Sequence, residues 1–437
     1  ADGETATGTV KVTVVDDVPT AKADVDSVAV GQTTAATGNV LTGVDVTTDG
    51  DANATDGVAD VPGADGGVTV VGVAKGSTGA ALDDATSGAA ATVGVELAGD
   101  HGKLKLNADG TYSYTRTPGS AGGVDDVFTY TIKDADGDLS YATLTISIGN
   151  DKPVVGDGTG PATANVTLTV DEKGLAPRTG EPGGSGEMSD GNGANDSDKS
   201  EATTGSVAFT SKDGVGSVVL GTVTLGTDAA NQTVVQDDAT GTLKAYYEFD
   251  AATGAGTVHY SYVLKDNVAH GAGAGMNTLD LPALTLTVED ADGETATGTV
   301  KVTVVDDVPT AKADVDSVAV GQTTAATGNV LTGVDVTTDG DANATDGVAD
   351  VPGADGGVTV VGVAKGSTGA ALDDATSGAA ATVGVELAGD HGKLKLNADG
   401  TYSYTRTPGS AGGVDDVFTY TIKDADGDLS YATLTIS

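Results

Sequence analysis

The sequence contains no cysteine and no tryptophan, and only 4% of its 437 residues are aromatic. Without cysteine there can be neither a disulfide nor a thiolate metal site, so ions bound by oxygen ligands are the remaining way to brace small domains. With so few aromatic residues, each core is expected to be modest and to consist mainly of Val, Ile, Leu and Ala. No apolar run approaches the roughly 18 residues of a membrane helix, and Ala1 starts without the features of a signal peptide. We therefore expect neither an anchor nor a leader in this sequence, which has the character of a piece of a longer protein.

Basic residues are also scarce, because 21 Lys and Arg stand against 64 Asp and Glu and give a formal net charge of -43. Such a surface repels nucleic acids and anionic membranes, so neither is expected as a partner. A chain with this negative charge is expected to bind cations. High net charge is also typical of disorder, but the regular runs of Val, Ile, Leu, Tyr and Thr indicate a folded chain.

Internal repetition sets the domain organisation. Residues 1–147 recur letter for letter as 291–437, and a period of 290 residues is long enough to hold whole domains. Two landmarks rich in acids and proline, VVDDVPTAKADVD from Val14 and ISIGNDKPVVGDG from Ile146, place linkers near residues 18, 151 and 308. The predicted organisation is residues 1–17 as the closing strand of a truncated preceding domain or a segment docked on a neighbour, 18–150 as a type A domain, 151–307 as a type B domain, and 308–437 as a second type A domain.

Hydrophobic residues alternate with a period of two. In FTYTIKDADGDLSYATLTIS, which begins at Phe128, the residues Phe128, Tyr130 and Ile132 share one face and threonines occupy the other. Similar runs, separated by Gly, Asn or Asp, continue along the chain, and no helix-period segment of useful length occurs. The pattern predicts an all-β fold of tandem immunoglobulin- or cadherin-like β-sandwich domains, placed end to end.

The turn of the same hairpin carries three acids, Asp134, Asp136 and Asp138. An Asp-Gly turn accounts for Asp136 and Gly137, but not for the flanking acids. Neighbouring carboxylates repel one another unless they are protonated or bridged, and Ca²⁺ takes six to eight oxygen ligands from such loops. The sequence therefore predicts several calcium ions, with solvated acids around a flexible joint as the alternative.

Further acids in the linkers are expected to join these hairpins, so that each junction gathers ligands from two domains and the strip between them. The set predicted for the first junction is Asp134, Asp136, Asp138, Asn150, Asp151, Asp171 and Glu172. The set predicted for the second junction is Asp290, Asp292, Glu294, Asp306, Asp307, Asp314 and Asp316. The first copy of that repeat offers Asp2, Glu4, Asp16, Asp17, Asp24 and Asp26.

A third acidic pattern, DGDANATDGVAD, partly matches an EF-hand calcium loop. Its oxygen-bearing positions in the two copies are Asp49, Asp51, Asn53 and Asp60, and Asp339, Asp341, Asn343 and Asp350. Ala54 stands where the loop requires Gly and Asp60 replaces the bidentate Glu, so a polar Ω-like loop is the alternative. The segment Gly180 to Glu201 is weaker, because its composition alone predicts a mobile insertion. It could hold an ion through Asp190, Asn192, Asp196 and Asp198.

Catalytic chemistry finds no support in the sequence. The histidines are His101, its copy His391, His259 and His270, and His259 lies within a strand pattern beside Tyr260, where a structural role is expected. The G-x-S-x-G elbow, the P-loop and the H-E-x-x-H motif are all missing. We predict that the chain is not an enzyme.

The pattern LNADGTYSYTRTPG followed by DDVFTYTIKDADGDLSYATLTIS resembles the VCBS and cadherin-like repeats of giant bacterial RTX adhesins, which are secreted by type I systems. The segments GSVVLGTVTL, FDAATGAGTVHYSYVLKD and LTLTVEDADGETATGTVKVTVVDDVPTA resemble the alternating repeat of the same adhesins. Together these segments cover nearly the whole chain. The family's glycine-rich nonapeptide is missing, since Met188 occupies its aspartate position.

The resemblance implies an extracellular extender, in which tandem sandwiches stiffened by calcium hold a distal ligand-binding domain away from a Gram-negative cell for attachment and biofilm formation. We expect a monomer whose partners are calcium ions and the neighbouring repeats. The alternative is an adhesive module that itself binds a sugar, a peptide or ice.

Overall fold

The computed structural model describes residues 2–45, 57–82, 92–156, 165–188, 197–271, 275–335, 347–372 and 382–437. Several predicted ligands lie outside these ranges. They are Asp49, Asp51, Asn53, Asp339, Asp341 and Asn343 of the EF-hand-like loops, and Asp190, Asn192 and Asp196 of the insertion.

The first sandwich consists of two sheets facing each other across a hydrophobic core. Its strands are β1 Asp24–Val28, β2 Ala36–Asn39, β3 Val44–Asp45, β4 Thr69–Lys75, β5 Glu96–Ala98, β6 Gly102–Leu106, β7 Thr111–Arg116, β8 Asp125–Lys133 and β9 Leu139–Ile148. One sheet has the order β1-β9-β8-β4 and the other has the order β3-β2-β7-β6-β5.

The second sandwich is larger and carries short helical turns. Its strands are β10 Val154–Val155, β11 Asn165–Asp171, β12 Ala202–Thr210, β13 Ser217–Leu220, β14 Val223–Thr224, β15 Thr233–Asp237, β16 Gly241–Asp250, β17 Ala255–Leu264, β18 Thr278–Asp280, β19 Leu284–Glu289 and β20 Thr295–Val305. A 3₁₀ turn, Glu172–Gly174, follows β11, and the helix α1, Ser185–Met188, lies in the insertion. The sheets have the orders β10-β12-β17-β16-β15 and β11-β20-β19-β13-β14, and β18 also pairs with β20.

The third sandwich repeats the first in the same order. Its strands are β21 Asp314–Asp316, β22 Ala326–Asn329, β23 Val334–Asp335, β24 Thr359–Lys365, β25 Glu386–Ala388, β26 Gly392–Leu396, β27 Thr401–Arg406, β28 Asp416–Lys423 and β29 Leu429–Ile436. Its sheets have the orders β21-β29-β28-β24 and β23-β22-β27-β26-β25. No helix in the described parts of the chain is long and apolar enough to cross a membrane.

In every sandwich the first long strand runs parallel to the last. Strand β1 pairs with β9, β11 with β20, and β21 with β29, whereas the other strand pairings are antiparallel. Because the two strands run in the same direction, the chain comes into a domain at one end and leaves it at the opposite end. This topology places consecutive domains end to end.

The few aromatic residues are concentrated at the centres of the cores. Val, Leu and Ile supply most of the buried positions, but the largest fully buried side chains include Tyr114, Phe128, Tyr130, Phe209 and Tyr262. The expectation that the cores consist mainly of aliphatic residues therefore understates the aromatic contribution.

Residues 2–17 form no strand, although their sequence is identical to that of 292–307. In the later copy, Thr295–Val305 pairs with three strands of the type B domain. Among the described residues no type B domain lies beside the early copy, and Val14 is 87% exposed where Val304 is fully buried. The origin of this segment as the closing strand of a preceding domain stays a prediction.

Candidate metal centres at the domain joints

The closing hairpin of each sandwich lies at the end where the chain comes in. Asp136 and Asp138 approach Asp16 of the incoming linker, and the Glu294 carboxylate accepts a hydrogen bond from Asn150 Nδ2 at 3.3 Å. The predicted grouping of each hairpin with the outgoing linker is therefore wrong. The last strand separates the two, because a strand of ten residues such as β9 spans about 33 Å.

Glu172 was predicted at the first junction, but it lies at the second. Strand β11 carries the chain along the full length of the type B domain, and its last residue, Asp171, lies opposite Val305 in the parallel pairing with β20. Glu172 consequently reaches the outgoing end of the type B domain, beside Asp306. Its neighbour Asp171 pairs with Lys173 through a backbone hydrogen bond of 3.0 Å and an ion pair of 3.3 Å.

The junction between the type B domain and the second type A domain, here the second joint, is a packed interface. Asn267 Nδ2 of the type B domain donates to Asp355 Oδ1 at 2.5 Å, and Arg178 Nη2 donates to the carbonyl of Ala354 at 2.7 Å. The amide of Gly275 donates to Asp428 Oδ1 at 3.2 Å. Elements of both domains thus enclose the linker that joins them.

Five acids line this interface and are called the joint pocket: Asp306, Asp355, Asp424, Asp426 and Asp428. Ligand atoms of Asp306, Asp355 and Asp426 lie within 4.8 Å of one another. Many of the carboxylate oxygens are buried without a hydrogen-bond partner, namely both oxygens of Asp306, both of Asp426, and Oδ2 of Asp355, Asp424 and Asp428. These oxygens have unused lone pairs and converge from several loops. Ca²⁺ prefers such hard oxygen ligands.

Three acids of the pocket, Asp306, Asp355 and Asp424, have raised pKa values. Burial, followed by the Asp428 side chain, raises the pKa of Asp306 to about 9. Burial and the Asp426 side chain raise the pKa of Asp424 to about 7, and burial also raises the pKa of Asp355. At neutral pH the pocket therefore has to keep protons or take a cation.

The first type A domain presents the same acids without a type B domain in front of it. Its clusters are Asp16 with Asp136 and Asp138, and Asp65 with Asp134 and Asp136. Asp16, Asp65 and Asp136 are exposed here, whereas Asp306 and Asp355, the copies of the first two, are buried. The Asp134 side chain, as the largest cause, raises the pKa of Asp136 to about 6. The amino acid sequence supplies the acids in both places, but only the neighbouring domain encloses them.

The junction between the first type A domain and the type B domain, here the first joint, contains a cation supplied by the protein. Arg116 Nη2 forms an ion pair of 2.9 Å with Asp213 Oδ1, and their side chains are only 4% and 0% exposed. Asp213 Oδ2 also accepts the amide of Asp151 at 2.6 Å. The predicted ligand Asp151 pairs with Lys212 at 3.1 Å.

The first joint also contains an acidic group, Asp290, Asp292 and Glu294, whose ligand atoms lie within 4.8 Å of one another. Burial, then the Asp292 side chain, raises the pKa of Asp290 to about 6. Lys152 forms an ion pair with Glu294 at 3.1 Å. Sequence reasoning missed Arg116 and Asp213, which are 97 residues apart and carry no local signal.

The acids on the first strand of each type A domain point into that domain and not into a joint. Tyr130 Oη bonds Asp24 Oδ2 at 2.8 Å, and Tyr112 Oη bonds Asp26 Oδ2 at 2.8 Å. The second copy repeats both contacts, from Tyr420 to Asp314 and from Tyr402 to Asp316. Their predicted place at the junctions is wrong, because the strand alternation turns both side chains of this short strand toward the core face.

The remaining predicted ligands fall into four groups. Asp60 and Asp350 accept the amides of Lys22 and Lys312, both at 2.6 Å, and face Tyr130 and Tyr420. Asp307 accepts hydrogen bonds from the amide and the hydroxyl of Ser185, so it ties the linker to α1. Asp2, Glu4 and Asp17 are exposed. Asp198 of the insertion accepts the amide of Ser200 at 2.9 Å.

One histidine that the sequence reasoning did not connect with a site lies beside the joint pocket. Glu172, His270 and Asp306 are all buried, and one ligand atom of each lies within 4.8 Å of the others. Burial raises the pKa of Glu172 to about 8. A lone histidine at the end of a domain gives no signal of its own, and its partners come from residues far away in the sequence.

Comparisons with known proteins agree with repeats of immunoglobulin type. A family model described as a bacterial Ig domain matches residues 69–147 and 359–437, which are equivalent parts of the two type A domains. No curated protein matches the chain significantly in sequence.

Solved structures of cadherins cover most of the chain at low identity. The human desmocollin-1 ectodomain is 11% identical over 96% of this chain, with a TM-score of 0.28, and the chain spans 61% of that protein. Mouse cadherin-23 EC22-24 is 12% identical over 97% of this chain and 99% of its own, with a TM-score of 0.29. Drosophila N-cadherin EC1-4 is 10% identical over 97% of this chain and 76% of its own, with a TM-score of 0.21. The assignment of tandem Ig-like sandwiches rests on the sheets themselves and on the family match.

Proposed function

We propose that this chain is a calcium-rigidified extender segment of a large bacterial surface adhesin, of the type I secreted RTX kind. Its task is mechanical reach outside the cell, projecting a distal ligand-binding domain for attachment and biofilm formation. The observation that carries the proposal is the parallel pairing of first and last strands, because it makes the chain enter and leave each domain at opposite ends.

Calcium is the second element of the proposal, and the joint pocket supports it. Asp306, Asp355, Asp424, Asp426 and Asp428 would hold the ion, which would supply the positive charge that these acids lack. Two unit charges about 4.8 Å apart, the limiting spacing within the cluster, repel by roughly 3–4 kcal/mol at an effective dielectric constant of about 20. The ion would replace that repulsion by joint coordination of Asp306, which directly follows β20 of the type B domain, and of acids of the second type A domain.

The energetic scale is sufficient to control a joint. Extracellular calcium modules bind with dissociation constants of about 10⁻⁴ to 10⁻³ M. Free calcium at 10 to 100 times the dissociation constant then stabilises the bound state by about 1.4–2.7 kcal/mol per site. A contribution of this size decides whether a small domain interface stays closed.

Small-angle X-ray scattering tests the proposal on the full chain. In millimolar calcium we expect an extended particle with a well-defined maximum dimension. In EDTA we expect a broader distribution of dimensions, because the second joint opens. An Asp306→Asn/Asp426→Asn variant lacks two of the ligands, so its scattering should be nearly the same in calcium and in EDTA.

The matched control is Asp16→Asn/Asp136→Asn, which alters the same positions in the first copy, where no type B domain adjoins. This control should still extend on addition of calcium. Identical scattering profiles in calcium and in EDTA, together with unchanged melting temperatures, would contradict the calcium part of the proposal.

A further inference from the structure

The orientation of His270 is set by a chain of hydrogen bonds. Asn277 Nδ2 donates to the carbonyl of Gly271 at 3.0 Å, which turns Asn277 Oδ1 toward His270 Nδ1 at 2.9 Å. An amide oxygen only accepts hydrogen bonds, so Nδ1 carries the proton. In the neutral ring, Nε2 therefore presents its lone pair. The backbone carbonyl of Asn277 also accepts the amide of Asp306 at 3.0 Å, so one residue positions both groups.

The lone pair of Nε2 faces other electron pairs. Glu172 Oε1 lies 3.3 Å from Nε2 and already accepts the amide of Val268 at 2.7 Å. Glu172 Oε2 and both oxygens of Asp306 are buried without a hydrogen-bond partner. The side chains of His270 and Glu172 are both 0% exposed, so bulk water does not reach them. A buried group of acceptors that converge in this way has to hold either protons or a cation between them.

We propose that Glu172, His270 and Asp306 form a binding site for a divalent transition-metal ion of the zinc class, distinct from the oxygen-only joint pocket. Imidazole nitrogen is a ligand for Zn²⁺ and related ions, whereas Ca²⁺ takes oxygen ligands.

Two features of the geometry favour zinc. Two ligands about 2.0–2.1 Å from a tetrahedral ion are about 3.3–3.4 Å apart, and Nε2 and Oε1 are separated by 3.3 Å. The bond from Nδ1 to Asn277 is also the outer contact that metal-bound histidines regularly make.

The site lies at the point where the type B domain meets the outgoing linker. Asp306 belongs to both the zinc-class site and the joint pocket, so an ion at His270 would fix one ligand of the neighbouring pocket. The equivalent of Asp306 in the first copy, Asp16, is exposed and has no type B domain beside it. This arrangement places one such site in the described residues of the type B domain.

Metal binding is measured on the full chain after removal of all metals, with Zn²⁺ titrated by calorimetry and Co²⁺ used as a spectroscopic probe. We expect one equivalent of Zn²⁺ to bind, and bound Co²⁺ to show the visible absorption of a four-coordinate ion. His270→Gln should abolish this stoichiometric binding and Glu172→Gln should weaken it. Asn277→Ala, which removes the outer contact together with the bond to Gly271, should weaken it by roughly 10- to 100-fold.

The matched control is His259→Gln, which changes a partly exposed histidine stacked on Tyr246 in the same domain. It should bind Zn²⁺ as the unchanged chain does. Circular dichroism and melting curves of each variant in calcium establish that it is folded. If His270→Gln is unfolded, Glu172→Gln and Asn277→Ala carry the test.

The inference is overturned if no zinc binds, if folded His270→Gln binds it equally, or if ¹⁵N spectra show that Nε2 keeps a proton after zinc is added. Titrations with and without millimolar calcium separate this inference from the proposed function. A chain that binds one zinc at His270 but does not change shape in calcium would refute the calcium joint and leave the zinc site standing. A chain that changes shape in calcium but binds no zinc at His270 would refute the zinc site and leave the calcium joint standing.

Discussion

Arg116 of the first type A domain and Asp213 of the type B domain form a buried ion pair of 2.9 Å across the first joint. Arg116 also donates to the carbonyl of Ser120 at 2.6 Å, which fixes the guanidinium at the end of its own domain. The first joint thus contains its own positive charge, whereas the joint pocket of the second gathers acids with many unpartnered oxygens. The two joints of one repeat are therefore built on different chemistry.

Replacement of Arg116 by Gln should loosen the first joint both with and without calcium. The change leaves Asp213 buried without its charged partner, and breaking a buried pair in this way costs about 3–5 kcal/mol. We expect a lower melting temperature for the unit formed by residues 18–307, measured by calorimetry, and a broader distribution of dimensions in scattering.

The repeat supplies the control for this experiment. Arg406 stands at the equivalent position of the second type A domain, where it bonds Ser410 at 3.0 Å and lies beside no type B domain among the described residues. Arg406→Gln should change the melting temperature little. Equal effects of the two substitutions would show that the arginine acts within its own domain and not across the joint.

Asp306→Asn should have opposite effects in calcium and in EDTA. In EDTA the substitution removes a carboxyl group that has to take up a proton or bury a charge on folding, so the melting temperature of the second joint should rise. In calcium it removes a ligand, and we expect the calcium affinity to fall at least roughly tenfold, or about 1.4 kcal/mol. Calorimetric titration and melting curves in both buffers provide the measurement. Asp16→Asn is the control, and a change of the same sign in both buffers would contradict the assignment.

Local patterns in the sequence predicted the strands well. The alternation at Phe128, Tyr130 and Ile132 became a strand in which these three side chains are fully buried. The predicted all-β fold of tandem Ig-like domains is confirmed. The sequence could predict it because strand signals depend on neighbours within a few residues.

Pairing between distant segments could not be predicted in the same way. Residues 5–15 and 295–305 have the same sequence, yet only the second segment forms a strand. The difference lies in the presence of β11, β18 and β19, which pair with it. For the same reason the acids were recognised as a class, while their grouping required the structure. The length of the last strand is by itself enough to place the closing hairpin at the opposite end of the domain from the outgoing linker.

Tyr130→Phe should destabilise the first type A domain by about 1–3 kcal/mol, because a buried acceptor that loses its donor costs about that much. The Tyr130 hydroxyl lies 2.6 Å from the carbonyl of Lys22 and 2.8 Å from Asp24 Oδ2, and its ring is fully buried. Tyr141→Phe is the control, because the Tyr141 side chain is 42% exposed and water can replace its bond to Gly79. Chemical denaturation measures both variants, and equal losses would show that the buried hydroxyl has no special role.

Stability in EDTA should fall as the pH rises, which is the reverse of the usual behaviour of paired carboxylates. The folded-state pKa of Asp306 is raised by burial and Asp428 to about 9, and that of Asp424 by burial and Asp426 to about 7, from an ordinary value of 3.8. The folded chain therefore binds more protons than the unfolded chain between these values. The resulting stability is fully present below about pH 4 and is lost as the pH passes through about 7 to 9.

Calcium has to displace those protons, so its affinity should increase between pH 6 and pH 8. Melting curves in EDTA at pH 5, 7 and 9, and calcium titrations at pH 6 and 8, measure the two trends. The Asp306→Asn/Asp424→Asn variant is the reference, because it lacks both titrating groups and should show a flatter dependence in EDTA. A melting temperature in EDTA that rises from pH 5 to pH 9 more steeply than in this variant would contradict the burial of charge that defines the joint pocket.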